Sequence, residues 1–148
     1  MPALECREVQ ERLEAVHHGT HAACVVCGPE NRGGLHVPYR ALPDGSVAAE
    51  FACPGALQGY PHMLHGGIIA ALLDGAMTNC LFAHGITAVT AELRIRYHAP
   101  VPTGRPAAVR AWIERSAHGC HVLAAELRRD GLVAVRGEAR FLSSRRGG

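Results

Sequence analysis

The stretch from His65 to Met77 constrains the fold more than any other part of this 148-residue chain. It opens with Gly66 and Gly67 and then continues through apolar residues as far as Leu73. A helical segment without a polar face is typical of a core helix enclosed by the rest of its domain. The apolar run is judged too short and too soon interrupted to cross a bilayer, so no membrane association is expected.

Asp74 follows this apolar run directly, and no local feature explains it. The other two aspartates, Asp44 and Asp130, stand in ordinary turn sequences, Pro-Asp-Gly and Asp-Gly. An ionised carboxylate in an apolar setting is costly unless it is paired or used. Asp74 is therefore either a structural residue, hydrogen-bonded to a neighbour, or a general base or nucleophile whose pKa is raised by desolvation.

The predicted helix start offers a second chemical feature. The first N–H groups of a helix have no internal partner, and they stabilise a carbonyl oxygen that gains negative charge. Gly66 and Asp74 are eight residues apart, which corresponds to about 12 Å along a helix axis. Because reacting groups must approach within about 3–3.5 Å, one substrate carbonyl cannot contact both groups of a single helix. A shared site therefore predicts an obligate dimer with its sites at the interface.

His65-Gly66-Gly67 followed by Asp74 resembles the signature of the hotdog-fold thioesterases, in particular the phenylacetic-acid-degradation (PaaI-like) branch. The segments 24–31 and 87–93 are also similar to that branch, and the resemblance extends over roughly residues 20–142. It implies an α+β hotdog fold, in which a strongly curved antiparallel sheet wraps a long central helix. A short N-terminal helix precedes this core.

The resemblance also implies roles for the residues of the motif. The backbone N–H of Gly66 polarises the thioester carbonyl, and Gly67 supports the turn. Asp74 acts as nucleophile or as base for water. His65 stands beside the glycine donors, where it contributes to catalysis or caps the helix by orienting the loop through its ring N–H.

Two further roles map less directly onto this chain. An Asn-Gly pair is expected before the motif, whereas here Gln58-Gly59 stands one residue further upstream. Gln58 is the candidate that orients the carboxylate or the attacking water. A hydroxyl residue on the strand after the helix often contacts the site, and Thr90 matches it best, with Thr87 as its rival. His62, in the loop before the helix, is expected to line the pocket.

The implied reaction is hydrolysis of an acyl-CoA thioester to free acid and CoA, without a cofactor. An acyl carrier protein thioester is a second possible substrate, and a homodimer that forms a dimer of dimers is the expected assembly. The alternative is a non-catalytic acyl or acyl-CoA binding protein that uses the same cleft, an interpretation that the displaced Gln58 keeps open. The dehydratases that share this fold are disfavoured by the spacing of the motif.

Composition and missing motifs exclude other classes. The net charge of +2 is too small to indicate a nucleic-acid partner. The chain contains no G-x-S-x-G elbow, P-loop or G-x-G-x-x-G fingerprint. It opens with an acidic amphipathic stretch rather than a secretion signal, and we expect a cytoplasmic protein. We expect one domain over residues 1–148, with a helix within 1–19 and a frayed tail over 143–148.

Cys24-x-x-Cys27, with His21 three residues before it, has the spacing of a partial metal site. A structural zinc site needs a second ligand pair. His36 could be a fourth ligand, but the chain has no second C-x-x-C. A thioredoxin-like role would need a βαβ context that is absent. We therefore assign no metal ligand and interpret both cysteines as ordinary core or loop residues.

Periodicity and turn signals predict the remaining elements. A helix is expected over 3–18, and the central helix is expected to end near Ala83. In the first strand after that helix, alternate residues from Ala91 to Tyr97 are expected to form a buried face. Strands are expected over 33–41, 46–53, 87–98, 106–116, 119–129 and 132–142.

Overall fold

The computed structural model describes residues 3–143. Two helices and six strands follow one another as α1 (Ala3–His18), β1 (Arg40–Ala41), β2 (Val47–Phe51), α2 (Gly66–Ala83), β3 (Ala88–Tyr97), β4 (Ala107–Ala117), β5 (Cys120–Arg129) and β6 (Leu132–Ser143). A short 3-10 helix (Gly55–Leu57) lies in the loop before α2. Of the expected frayed tail, Ser143 is the last residue of β6, and 144–148 lie outside the described residues.

All six strands form one antiparallel sheet in the order β1-β2-β4-β5-β6-β3. The strand that follows α2 in the chain, β3, pairs with β6 and lies at one edge. The helix α2 packs against β2 to β6, and α1 packs against α2 and β1. This arrangement confirms the expected α+β fold, with a long central helix on an antiparallel sheet and an N-terminal helix.

The helix α2 is the centre of the core. Leu72, Leu73, Met77 and Leu81 on this helix are completely buried. By length and composition alone the helix could cross a membrane, so the argument from its length was wrong. Burial is the better criterion, because 61% of the helix lies inside the protein, as expected of a core helix.

The predicted strand over 33–41 is wrong except for Arg40–Ala41. The backbone N–H groups of Leu35 and Val37 donate to the carbonyl oxygens of Val25 and Val26, at 2.8 and 2.9 Å. These donors are therefore used within the loop between α1 and β1, and they do not extend the sheet. The apolar pattern of this segment reflects packing of the loop against the core.

The expected buried face of β3 is also wrong for a single chain. Leu93 is 36% exposed and Tyr97 50% exposed, and Val89 near the strand start is 63% exposed. Ala91 is exposed as well, and Ile95 is half-buried. The strand lies at the sheet edge, and its register shifts between Thr90 and Glu92, so the alternation does not align with the core.

Gly75 allows the loop before β1 to pack tightly against α2. A Cβ atom at this position would lie 2.6 Å from the Tyr39 hydroxyl and 2.8 Å from Cγ1 of Val26. The Tyr39 hydroxyl is fixed there, because it donates to the Leu72 carbonyl oxygen at 2.7 Å. Neither neighbour can withdraw without breaking a buried contact.

We predict that Gly75→Ala destabilises the protein by about 1–3 kcal/mol through overpacking. Helix propensity alone predicts the opposite sign, a gain of about 1 kcal/mol. Urea denaturation measures the difference, with Gly55→Ala as a control, because nothing lies within 4 Å of a Cβ at Gly55. A Gly75→Ala variant as stable as the wild type would contradict this close packing.

Candidate active site

His65 forms the N-cap of α2. Its backbone is extended (φ −61°, ψ 134°), and its Nδ1 accepts a hydrogen bond from the Gly67 N–H at 2.8 Å. Its own N–H donates to the Leu57 carbonyl oxygen at 3.0 Å, which attaches the preceding loop to the helix start. The capping role is therefore present, but the ring nitrogen accepts from the helix rather than donating to the loop. Since His65 uses the Gly67 N–H, that group is not free for a ligand.

Gly66 provides another backbone donor at the helix start. Its N–H has no hydrogen-bond acceptor among residues 3–143. Its carbonyl oxygen accepts from the Tyr97 hydroxyl at 2.6 Å, so β3 holds the first turn of the helix in place. Tyr97 was not among the site residues expected from the sequence. The sequence predicts only that Tyr97 lies on β3. Its contact with Gly66 depends on how β3 lies along α2.

Asp74 lies at the middle of α2 and is partly buried. The Thr90 hydroxyl donates to its Oδ1 at 2.7 Å. Burial raises the pKa of Asp74 above its usual value, and the hydrogen bond from Thr90 opposes that rise. Thr90, rather than Thr87, is the hydroxyl residue that contacts the carboxylate. The result is an oriented, partly desolvated carboxylate with the properties of a general base or nucleophile.

Gln58 and His62 lie together in the loop before α2, and both are exposed. The Gln58 Oε1 accepts from the His62 backbone N–H at 3.2 Å. The loop is closed further by isolated bridges from Gln58 to Leu64 and from Met63 to Pro102. Within residues 3–143, the side chain of Gln58 therefore stabilises its own loop and makes no hydrogen bond to Asp74.

The two halves of the candidate site both face β3. Thr90, near the start of β3, contacts Asp74, and Tyr97, at its end, contacts Gly66. The strand therefore runs antiparallel to α2 and touches both polar positions of the helix. With eight residues between them, Gly66 and Asp74 stay about 12 Å apart along the axis. In one chain the donor and the carboxylate cannot contact the same carbonyl group.

His21, Cys24 and Cys27 form a separate polar cluster in the loop after α1. One ligand atom from each residue lies within 4.8 Å of those of the others. His36, considered above as a fourth ligand, is not part of this cluster. Its Nε2 instead contacts the Asn31 carbonyl oxygen.

We predict that Thr90→Val raises the pKa of Asp74 further, because the carboxylate loses the hydrogen bond that favours its charged form. The pKa can be measured by NMR titration of the Asp74 side-chain carboxyl carbon. Thr87→Val is the matched control and is expected to leave that pKa unchanged. An unchanged pKa in Thr90→Val would show that the hydroxyl does not bond to the carboxylate.

Comparisons with known proteins agree with this architecture. Residues 62–136 match the family model described as thioesterase superfamily. The acyl-coenzyme A thioesterases THEM4 of mouse and rat are 44% and 46% identical over 46 residues, which is 31% of this chain. The match spans only 20% of the length of each of these relatives.

Solved structures are similar over nearly the whole chain. The PaaI protein of the E. coli phenylacetic acid degradation operon has a TM-score of 0.79 at 13% identity, covering 95% of this chain and 96% of its own. A thioesterase superfamily protein has a TM-score of 0.78 at 26% identity, and the match covers 93% of this chain and 78% of that protein. A phenylacetic acid degradation-related protein from Ralstonia eutropha has a TM-score of 0.71 at 23% identity, and the match covers 88% of this chain and 98% of that protein. Since the family model covers half of the chain, the chain belongs to the thioesterase superfamily, with the hotdog fold of the PaaI proteins.

Proposed function

We propose that this protein is an acyl-CoA thioesterase that hydrolyses its substrate to free acid and CoA, with Asp74 as the reactive carboxylate. The observation that carries the proposal is the environment of Asp74. Burial raises the pKa of this carboxylate, and the Thr90 hydroxyl orients it at 2.7 Å. A partly buried carboxylate that has one neutral donor and, among residues 3–143, no cationic partner is suited to accept a proton or attack a carbonyl carbon.

The Gly66 N–H supplies the complementary group. It stands at the positive end of α2 and donates to the thioester carbonyl oxygen, which gains negative charge in the tetrahedral state. In one route Asp74 takes a proton from water, which attacks the carbonyl carbon and expels the CoA thiol. In the other, Asp74 attacks the carbon itself and expels the CoA thiolate, and water then hydrolyses the resulting mixed anhydride to the free acid and the Asp74 carboxylate. Both routes require the ionised form of Asp74.

A homodimer brings these groups together. The edge strand β3 is ten residues long and exposes Val89, Leu93 and Tyr97, so it is suited to pair with a second copy. The helix contacts lie at Thr90 and Tyr97, on either side of the strand's centre. An antiparallel pair of β3 strands about a two-fold axis near Leu93 places the Asp74 region of one subunit opposite the Gly66 region of the other. Each dimer then has two complete sites.

The dimer of dimers that the resemblance implies is also part of this proposal, as is a cytoplasmic location. The six cysteines are free thiols, which suits a reducing compartment.

A non-catalytic acyl-CoA binding protein is the second candidate. The observation that favours it is Gln58, whose amide oxygen is occupied by the His62 N–H. A water molecule at Asp74 then lacks the amide that the family resemblance assigns to positioning it. This candidate predicts binding of acyl-CoA without release of CoA.

We predict that Asp74→Asn lowers turnover by about 10²–10⁴-fold, the usual contribution of a positioned base. Release of CoA from short, medium, long and aromatic acyl-CoAs is measured with a thiol reagent. Since the pKa of Asp74 is raised in the folded protein, its ionisation costs stability as pH rises through that pKa. The Asn variant is therefore not expected to be less stable at neutral pH.

Asp130→Asn, at an exposed turn between β5 and β6, is the control and should keep full activity. Equal turnover in wild type and Asp74→Asn would exclude Asp74 as the reactive group. Acyl-CoA binding without turnover by the wild type, across the whole panel, would favour the binding protein.

We predict that Gly66→Pro abolishes turnover without unfolding the chain. Proline is favoured at the first helical position and removes only the N–H donor there. The extended backbone of His65 also suits a residue before proline. Co-expression of differently tagged Gly66→Pro and Asp74→Asn chains tests whether the sites are shared.

Random pairing makes about half of the dimers mixed, and one of the two sites in each mixed dimer is intact. The co-expressed protein should therefore regain about one quarter of wild-type activity. If each site were built within one chain, co-expression would give no recovery. A monomer in light scattering would contradict the shared site as well.

A further inference from the structure

The cluster of His21, Cys24 and Cys27 has the dimensions of a metal site. Its ligand atoms lie within 4.8 Å of one another. In a tetrahedral zinc site, with Zn–S near 2.3 Å and Zn–N near 2.0–2.1 Å, neighbouring ligand atoms are about 3.5–3.8 Å apart. Side-chain movements on the order of 1 Å bring the three ligand atoms to the spacing that one zinc ion requires.

The backbone that presents these residues is tightly folded. The Cys24 N–H donates to the His21 carbonyl oxygen at 3.1 Å, and the Gly28 N–H donates to the Cys24 carbonyl oxygen at 2.9 Å. A Cβ atom on Gly28 would lie 2.3 Å from the Cys24 nitrogen, so only glycine fits there. These two successive turns bring the two cysteines of the C-x-x-C motif and the histidine to one side of the loop.

His21 supplies an independent sign of a missing partner. Its Nδ1 is buried and has no hydrogen-bond partner among the residues that the structure describes. Buried polar atoms are almost always paired, and an exception needs an explanation. The ring is also fixed, since it packs edge-on against Phe82 with 4.6 Å between ring centroids. Coordination through Nδ1 would satisfy this nitrogen.

Cys27 has an outer contact of the kind that supports a thiolate ligand. The Nδ2 of Asn79 lies 3.7 Å from the Cys27 sulfur and also donates to the Gly75 carbonyl oxygen at 2.8 Å. The Asn79 Oδ1 contacts Nε2 of His17. The buried amide is thereby held with an N–H directed at the sulfur. Hydrogen bonds from outer residues orient metal ligands and stabilise their charged form.

We propose that His21, Cys24 and Cys27 bind one zinc ion, with water as the fourth ligand. Two thiolates and one imidazole form a donor set that favours zinc over magnesium, calcium or manganese. The ion crosslinks the loop after α1 at the point where it contacts α2 through Asn79 and Phe82. The role is structural, and it does not depend on the proposed thioesterase activity.

The test measures metal directly on the full chain. Protein purified under reducing conditions with zinc, then dialysed to remove weakly bound metal, is expected to hold about one zinc per chain by mass spectrometry. Replacement of zinc by Co²⁺ is expected to give a thiolate-to-cobalt absorption band in the near ultraviolet. The Cys24→Ser/Cys27→Ser variant should lose both signals. Cys6→Ser/Cys120→Ser, with two free cysteines removed elsewhere, should keep both.

His21→Ala is the variant that remains informative if the double variant does not fold. It should keep the thiolate band but change the visible cobalt spectrum, because one nitrogen ligand is lost. Reduced wild-type protein that holds no zinc and gives no thiolate band would overturn the proposal. Thiol counting that finds Cys24 and Cys27 joined as a disulfide, with no zinc bound after reduction, would overturn it in favour of a redox pair.

Discussion

The absence of a polar face on α2 is the constraint on which the rest of the structure depends. A helix with Leu72, Leu73, Met77 and Leu81 completely buried must be enclosed. The sheet covers the helix, and β3, the strand that follows the helix in the chain, lies at the edge of the sheet beside β6. The strand then lies along α2 rather than within the sheet centre. Side chains of β3 therefore form the hydrogen bonds to Asp74 and to the Gly66 carbonyl oxygen.

Neither polar position of the helix has all of its hydrogen-bonding capacity satisfied by β3. Asp74 and the Gly66 N–H can therefore still interact with a substrate. The Thr90 hydroxyl opposes the rise in the pKa of Asp74 without cancelling the effect of burial. At the helix start, His65 satisfies the Gly67 N–H, and Tyr97 holds the Gly66 carbonyl, yet the Gly66 N–H keeps no partner within residues 3–143. The strand β3 therefore contacts both a carboxylate with a raised pKa, at Asp74, and a residue whose backbone N–H can still donate a hydrogen bond, Gly66.

The sequence predicted those features that depend on local pattern. The bounds of α2, the strands β4 to β6 and the unusual position of Asp74 follow from hydrophobic periodicity and turn residues. It could not predict contacts set by tertiary packing. The segment 33–39 bonds to Val25 and Val26 instead of the sheet, and the Tyr97 contact depends on the path of β3. The proximity of His21, Cys24 and Cys27 depends on the turns around Gly28, which the spacing of the residues alone does not show.

The loop that carries the cysteines contacts the helix that carries Asp74 at several points, and one of them is next to Gly75. Tyr39 lies there, with its hydroxyl bonded to the Leu72 carbonyl oxygen and packed over Gly75. Burial raises the pKa of Tyr39 well above its usual value, with smaller contributions from the charges of Cys27 and Asp74. The same phenol is therefore within electrostatic reach of the cluster and of the carboxylate. Because Gly75 admits no side chain, a displacement of the loop acts on the helix turn that holds Asp74.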